Sequence, residues 1–185
     1  MLAQRVNCLP LVIKTQLVMD EISKEIYNAF GHQLRVRVGG FCLADDQLLL
    51  VRHQGLEKAR EWWAPPGGGV KFGEKVHQAL MREFREETGL EVSVGRFLCV
   101  HEFLELPLHA VELFFEVHPR SGMIITGFDP EMRSLERAHQ VIQEVRWMGF
   151  EELAQKDPAS LHQLLRHCRG PEDVLNLRGY SLHQS

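Results

Sequence analysis

The sequence is poor in cysteine and contains no long apolar run. Four cysteines occur among 185 residues, at Cys8, Cys42, Cys99 and Cys168. They are too far apart for the CxxC pairs of metal or redox sites, and a chain of this length does not need disulfides to fold. We therefore expect reduced thiols and a cytoplasmic protein. No apolar run reaches the roughly 18 residues of a membrane span, so we expect no membrane association.

The charge is also nearly balanced. The 21 Lys and Arg residues face 25 Asp and Glu residues, which leaves a formal net charge of −4 with His neutral. Proteins that hold nucleic acid by its phosphates need a clustered basic face, so we expect no nucleic-acid partner. The mild negative charge does not exclude a small anionic ligand, because a few Lys or Arg residues in a cleft are enough to bind one. The first residues carry a short apolar patch interrupted by Asn7 and Pro10, so we expect no secretory signal.

Length and composition predict one globular domain, with 44% hydrophobic and 25% charged residues. Helical or alternating spacing of the apolar residues predicts its elements. The predicted strands are 34–44, 48–51, 92–106, 110–117 and 141–148, and the predicted helices are 17–30, 74–88, 150–154 and 158–166. Irregular backbone is predicted at 67–69, a short strand and turn at 122–127, and a loop or lid at 128–140. We expect an α+β fold in which helices flank a mixed sheet.

One predicted helix concentrates negative charge. Four acidic residues, Glu74, Glu83, Glu86 and Glu87, lie on it or just before it. At about 100° per residue, Glu87 projects about 40° from Glu83, and Glu86 about 60° to the other side. Like charges this close destabilise a helix unless a cation neutralises them. Carboxylate oxygens select hard ions, so the pattern predicts Mg²⁺, for which Mn²⁺ can substitute.

The residues around the acids fit the same chemistry. Arg82 can orient carboxylates without occupying a metal position. The glycines at 67–69 let the backbone approach the acids closely and offer them a carbonyl or an amide group. Crowded carboxylates raise one another's pKa, which prepares one of them to accept a proton from water.

The complete pattern resembles a known motif. Gly68, five residues, Glu74, seven residues and then the run REFREETGL from Arg82 to Leu90 resemble the Nudix box, with no departures. The order of elements around the box is similar to that of the Nudix family from residue 34 to about 165. The resemblance implies a Nudix α/β/α sandwich with a mixed sheet. It also implies hydrolysis of the pyrophosphate in a nucleoside diphosphate linked to another moiety.

The resemblance assigns roles to the box residues. The implied metal ligands are Gly68, Glu83, Glu86 and Glu87, and the implied catalytic residues are Glu74, Arg82, Glu83 and Glu86. Arg82 is expected to fix Glu83 or Glu86. Glu74 is expected to pair with Arg82 or to ligate indirectly. The implied reaction is attack of a metal-activated water on phosphorus. Its general base is a box glutamate or an acid in a later loop, the candidates being Glu131, Glu136 and Glu144.

Substrate contacts have weaker signals. The candidate substrate-binding residues are Arg37, Arg52, His53 and Trp63. Arg35 and Arg37 alternate with valines and face one side of a strand, toward a diphosphate, a partner subunit or solvent alone. Residues 52–60 form a basic loop that suits phosphates or a sugar, or else is simply solvated. Of Trp62 and Trp63, one is expected to stack on a base, whereas strand alternation places one in the core.

Subfamily features narrow the substrate. The coenzyme A and NADH signatures of the family are not recognisable, and Pro107 lies close to, but not on, the proline position associated with ADP-ribose enzymes. We expect a nucleoside diphosphate sugar or ADP-ribose as substrate. The alternatives are a house-cleaning nucleoside triphosphate pyrophosphohydrolase and a non-catalytic module that senses a nucleotide.

The chain divides into three predicted parts. These are an N-terminal extension with a helix at 1–33, a Nudix hydrolase domain at 34–168 and a C-terminal tail at 169–185. The apolar segment 9–13 and the predicted helix 17–30 favour a homodimer, as in many relatives.

Overall fold

The computed structural model describes residues 27–54, 61–126 and 142–182. The strands in these ranges are β1 Leu34–Ala44, β2 Gln47–Gln54, β3 Glu61–Ala64, β4 Gly67–Gly69, β5 Glu91–Glu105, β6 Leu108–Ser121, β7 Ile142–Gly149 and β8 Tyr180–Leu182. The helices are α1 Val76–Thr88, α2 Phe150–Gln155 and α3 Pro171–Leu175, with 3₁₀ turns at Pro158–Ser160 and Gln163–Leu165. Residues 27–30 are also helical.

The strands form one mixed sheet. Its hydrogen-bonded order is β3-β2-β1-β6-β5-β8, with β4 paired to β1 and β7 paired to β2. Strand β1 runs parallel to β6, from Leu34 opposite His109 to Cys42 opposite Val117. Strand β8 runs parallel to β5, and the other pairs are antiparallel. The predicted α+β fold with a mixed sheet is confirmed.

Helix α1 follows its predicted position closely. Its apolar stripe, which includes Leu80 and Phe84, is buried against the sheet. Gly89 ends the helix with φ 74°, a left-handed conformation that glycine adopts without a Cβ penalty, and its N–H donates to the Arg85 carbonyl. The same packing sets Glu83 and Glu87 beside β4, which positions the acidic cluster.

Two apolar cores lie on opposite faces of the sheet. Leu48 and Leu50 of β2 belong to one core, and Leu49 and Val51 belong to the other, because successive strand residues point to opposite faces. Helix α1 packs on the second core. Helices α2 and α3 and the 3₁₀ turn Gln163–Leu165 pack on the first. This arrangement is an α/β/α sandwich.

Two predicted elements differ from the structure. The predicted helix 158–166 is replaced by two 3₁₀ turns, because Leu161 bridges to Trp63 and the His162 N–H donates to the Trp63 carbonyl at 2.9 Å. These bonds to β3 interrupt the helical pattern between the turns. Residues 67–69 are not irregular but form β4, since these glycines have no side chains and the strand can pair closely with β1.

The C-terminal part also departs from expectation. Residues 122–126 form no strand, contrary to the prediction for 122–127. The segment from residue 169, predicted as a tail, contains α3 and β8. Val174 of α3 is buried in the first core, and β8 pairs with β5. The division of the chain into three parts stays a prediction.

Some predictions lie outside the described residues. They are the helix 17–30 before residue 27, the loop 128–140 and Cys8. The three other cysteines are free thiols and buried. Within the described ranges, no helix has both the length and the apolar character needed to cross a bilayer.

Candidate active site

The acids of the box gather along the edge of α1 that faces β4. Glu83 and Glu87 are each only 3% exposed, whereas the side chain of Glu86 is 25% exposed. The Gly67 N–H donates to Oε2 of Glu87 at 2.9 Å. The structure therefore brings the predicted acids together, with two sealed against the sheet and one open to solvent.

Arg82 joins these acids to one another. Its Nε and Nη2 donate to the two carboxylate oxygens of Glu74, both at 2.9 Å. Its Nη1 donates to Glu83 at 2.6 Å and to Glu86 at 3.1 Å. Its Nη2 also donates to the Gly69 carbonyl at 3.0 Å. Because a guanidinium is a rigid planar fork, these bonds fix the carboxylates in one arrangement.

The contact between Arg82 and Glu74 also keeps both side chains charged. The hydrogen bond from Arg82 lowers the pKa of Glu74, and the hydrogen bond to Glu74 raises the pKa of Arg82. Both groups are therefore charged at neutral pH. One guanidinium faces several carboxylates here, so the cluster keeps an excess of negative charge that a divalent cation would neutralise.

Gly68 allows the β4 backbone to approach these acids. A Cβ at this position would lie 2.4 Å from the carboxyl carbon of Glu83, which is closer than real Cβ contacts come. The site thus combines carboxylate oxygens with nearby backbone oxygens, the donors that Mg²⁺ and Mn²⁺ prefer. The donor set fits a hard divalent ion.

A cleft opens beside the acidic cluster. It is shallow and open to solvent, and its lining residues are Arg37, Val38, Gly39, His53, Trp62, Ala64, Pro65, Gly67, Glu112, Phe114 and His162. Gly67 belongs to both sites, since its N–H bonds Glu87. The cleft and the acidic cluster are therefore adjacent.

A row of polar side chains crosses the floor of the cleft. Arg37 on β1 lies opposite Glu112 on β6, which lies opposite His101 on β5. The Arg37 Nε donates to Oε1 of Glu112 at 3.0 Å, and Nε2 of His162 lies 3.1 Å from Oε2. Burial alone would raise the pKa of Glu112, but the hydrogen bond from His162 and the charge of the Arg37 guanidinium hold this pKa well below its usual range. The carboxylate is therefore ionised at neutral pH.

His101, Glu112 and His162 also have the composition of a metal site, because their potential ligand atoms lie within 4.8 Å of one another. The Leu164 N–H donates to Nδ1 of His162 at 3.3 Å. A neutral imidazole then carries its proton on Nε2, the atom that faces Glu112, where a metal would need a lone pair. The Arg37 cation already contacts the same carboxylate. This geometry favours a hydrogen-bonded network over a metal site.

His53 lines the cleft as predicted, but as a neutral group. Its side chain is buried, and that burial, followed by the charge of Arg37, lowers its pKa to about 3. Its ring centroid lies 5.4 Å from that of Trp62. His53 therefore cannot bind phosphate as a cation at neutral pH, which corrects its description as part of a basic loop.

Trp63 and Arg52 lie on the face of β2 and β3 opposite to Trp62 and His53. Trp62 pairs with His53 and Trp63 pairs with Arg52 across β2 and β3, and cross-strand partners share a face. Trp63 is 1% exposed in the core, with the Arg52 guanidinium 5.8 Å from its ring centroid. Arg52 also bonds Glu144 at 3.1 Å. The predicted substrate contacts of Trp63 and Arg52 are therefore corrected, and Trp62 is the tryptophan of the cleft.

The candidate general bases outside the box are only partly described. Glu131 and Glu136 lie outside the described residues. Glu144 of β7 pairs with Arg52 and Arg146. Because Arg52 and Glu144 are cross-strand partners, Glu144 lies on the Trp63 face and not on the cleft face.

Sequence reasoning does not find Glu112, His101 or His162 as members of the site. Strand register brings His101 opposite Glu112. His162 reaches Glu112 because the chain between the two 3₁₀ turns is bonded to β3. One signal was available: Glu112 is an acid inside the apolar strand AVELFFEV, and acids are rarely buried without a partner.

Comparison with known proteins agrees with this architecture. A family model described as the NUDIX domain matches residues 33–168. The ADP-ribose pyrophosphatase of Methanocaldococcus jannaschii is 38% identical over 96 residues, 51% of this chain and 56% of that protein. The CTP pyrophosphohydrolase of Escherichia coli is 36% identical over 58 residues, 31% of this chain and 43% of that protein. This chain thus spans less than two thirds of the length of these curated relatives.

The fold has similar solved structures as well. A Nudix hydrolase from Nitrosomonas europaea aligns with a TM-score of 0.59 at 24% identity, over 77% of this chain and 89% of that one. The family match spans most of the chain and contains the whole box, whose acids the structure brings together at one site. The chain belongs to the Nudix family.

Proposed function

We propose that the chain is a divalent-metal-dependent hydrolase that cleaves the pyrophosphate of a nucleoside diphosphate linked to another moiety. The observation that carries this proposal is the acidic cluster, in which Arg82 bonds both Glu83 and Glu86 and the β4 backbone bonds Glu87. Membership of the Nudix family and relatives named as pyrophosphohydrolases support it.

In this proposal Glu83, Glu86, Glu87 and the Gly68 carbonyl hold Mg²⁺ or Mn²⁺. When bound, such an ion supplies hydroxide at neutral pH and stabilises the charge on the departing phosphate. Arg82 keeps Glu83 and Glu86 in one orientation while substrate enters and product leaves. Glu86 is open to solvent, which suits an acid that accepts a proton from water.

The proposed substrate is ADP-ribose or a nucleoside diphosphate sugar. The cleft supports a substrate with a bulky group beyond its phosphates, because it adjoins the acids at Gly67 and presents the half-buried ring of Trp62. The name of the Methanocaldococcus jannaschii relative supports ADP-ribose.

Two alternatives have different support. A nucleoside triphosphate pyrophosphohydrolase is favoured by the name of the Escherichia coli relative. A module that senses a nucleotide without cleaving it is less favoured, since the chain keeps every acid of the box, and a binding module has no need of them.

A substrate panel tests the proposal. The purified chain is incubated with Mg²⁺ and ADP-ribose, ADP-, GDP- and UDP-sugars or nucleoside triphosphates, and the products are separated by chromatography. We expect a nucleoside monophosphate and a sugar phosphate from the best substrate. Release of inorganic pyrophosphate from triphosphates alone would favour the first alternative. Binding without turnover of any compound would favour the second.

We further propose that residues 34–168 form the hydrolase domain of a cytoplasmic homodimer. The buried free thiols are compatible with a reducing compartment. Exposed apolar side chains on β1 and at the β5–β6 turn, Leu34 at 60% and Leu106 at 82% exposed, support an interface there. Light scattering should give twice the monomer mass, and a monomer mass at micromolar concentration would contradict the dimer.

A further inference from the structure

Glu112 is a largely buried, ionised carboxylate that the proposed chemistry does not use. Its side chain is 13% exposed and bonds Arg37 on one side and His162 on the other. A buried ion pair adds little net stability over apolar residues of similar volume, because desolvation offsets the attraction. The pair also lies in the floor of the cleft and not deep in a core, where it can act on a ligand.

Arg37 lines the cleft, and its strand pairs with β4, the strand that borders the acidic cluster. It lies opposite Gly69 of β4, whose carbonyl accepts a hydrogen bond from Arg82. Its side chain is 28% exposed and lines the cleft. A diphosphate held at the acids would therefore pass beside the Arg37 guanidinium, which is a strong donor for phosphate oxygens.

We propose that Arg37 binds an anionic oxygen of the substrate diphosphate, and that Glu112, held by His162, is the positioning residue that aims the Arg37 guanidinium. This inference rests on the proposed function for its ligand. It assigns Glu112 and His162 no contact with the reacting atoms, since both act through Arg37.

The hydrogen bonds of the network have a fixed direction. The Leu164 N–H donates to Nδ1 of His162, so Nε2–H donates to Glu112. The carboxylate of Glu112 accepts this bond on Oε2 and the Arg37 Nε–H on Oε1. A glutamine at position 112 has one acceptor oxygen and can satisfy only one of the two donors. The substitution therefore loosens Arg37 while it keeps the size of the side chain.

A double-mutant cycle tests the inference. Glu112→Gln, Arg37→Met and the double variant are compared by KM, by kcat and by calorimetric titration with ADP in metal-free buffer. We expect Glu112→Gln to raise KM about tenfold and to weaken ADP binding by a similar factor, with kcat within about twofold. In the Arg37→Met background, Glu112→Gln should change neither KM nor ADP affinity further, because its effect passes through Arg37.

Glu116→Gln is the matched control. Glu116 lies on the same strand and pairs with Arg96 at 2.9 Å, outside the cleft. It should leave KM, kcat and ADP affinity unchanged. If Glu112→Gln does not fold, as judged by its melting curve, His162→Phe keeps an aromatic ring in the cluster with Phe114 and removes the donor to Glu112, together with the acceptor of the Leu164 N–H. It should raise KM in the same way.

The outcomes separate this inference from the proposed function. The positioning role would be overturned if the KM of the double variant showed the effects of Glu112→Gln and Arg37→Met multiplied together. An unchanged KM in Glu112→Gln or in His162→Phe would overturn it as well. Wild-type protein that binds ADP through Arg37 but hydrolyses nothing in the substrate panel would overturn the hydrolase proposal and leave the positioning role supported.

Discussion

Gly68 and Glu83 approach so closely that any side chain at position 68 would meet the carboxyl group of Glu83. A Cβ there would lie 2.4 Å from the carboxyl carbon and 2.4 Å from Oε1. The carboxyl group is buried and held by the Arg82 Nη1 at 2.6 Å, so it can move aside only by leaving this fixed position. The box therefore positions Glu83 from two sides, by the β4 backbone and by the guanidinium.

Gly68→Ala should consequently impair activity more than folding. We expect kcat to fall roughly 10²-fold, because displacing a reacting group by about 1 Å has an effect of that order. The melting temperature should change by only a few degrees, since the displaced group is the end of one side chain. Gly149→Ala is the control, because a Cβ there meets nothing within 4 Å. Unchanged kcat in Gly68→Ala would show that the approach of Gly68 to Glu83 has no role in turnover.

Arg82→Lys should also impair turnover, although the substitution keeps the positive charge. A lysine ammonium is a point donor and cannot span Glu74 on one side and Glu83 on the other, as the guanidinium does. We expect kcat to fall roughly 10²-fold. Arg85→Lys on the same helix, where the arginine side chain is 61% exposed, should be neutral. Steady-state kinetics of both variants show whether turnover needs the planar guanidinium of Arg82 or only its positive charge. Equal kcat in Arg82→Lys and wild type would contradict the role of the guanidinium.

The elements that sequence reasoning finds are those with a local signal. The 3.6-residue spacing that ends at Gly89 predicts α1, and alternation predicts β1 with its observed bounds. The acids of the box are also local, since all four lie within fourteen residues of one another and share one helix or its approach. Their meeting therefore needs no knowledge of the tertiary fold.

The errors arise where tertiary contacts decide. Alternation shows that Trp62 and Trp63 face opposite sides of β3 but not which side is the cleft, and only pairing with His53 settles this. The apolar spacing of 158–166 resembles a helix, yet bonding to β3 divides it into two turns. Glu112 and His162 are 50 residues apart, so nothing local links them.

Glu87→Gln should abolish turnover and reduce the response to metal. Mg²⁺ or Mn²⁺ at about 100 times its dissociation constant stabilises a native site by about 2.7 kcal/mol, so the wild-type melting temperature should rise with metal. Glu87→Gln should show a smaller rise and no measurable hydrolysis of the best substrate. Glu151→Gln, an exposed acid on α2, is the control and should match wild type in both measurements. A wild-type melting curve that is flat across millimolar metal would contradict the site.

His53 should make the protein less stable in mild acid. Its folded pKa is about 3 because of burial and the charge of Arg37, whereas an unfolded histidine has a pKa of about 6.5. Between these values the unfolded chain binds the additional proton, so the free energy of unfolding rises with pH. From pH 7 to pH 5 this one group should reduce it by about 2 kcal/mol. Urea titrations at both pH values should show this loss in wild type and in His167→Gln, whose histidine is exposed. In His53→Gln the loss should be smaller by about that amount, and an equal loss in all three proteins would show that His53 is protonated in the folded state.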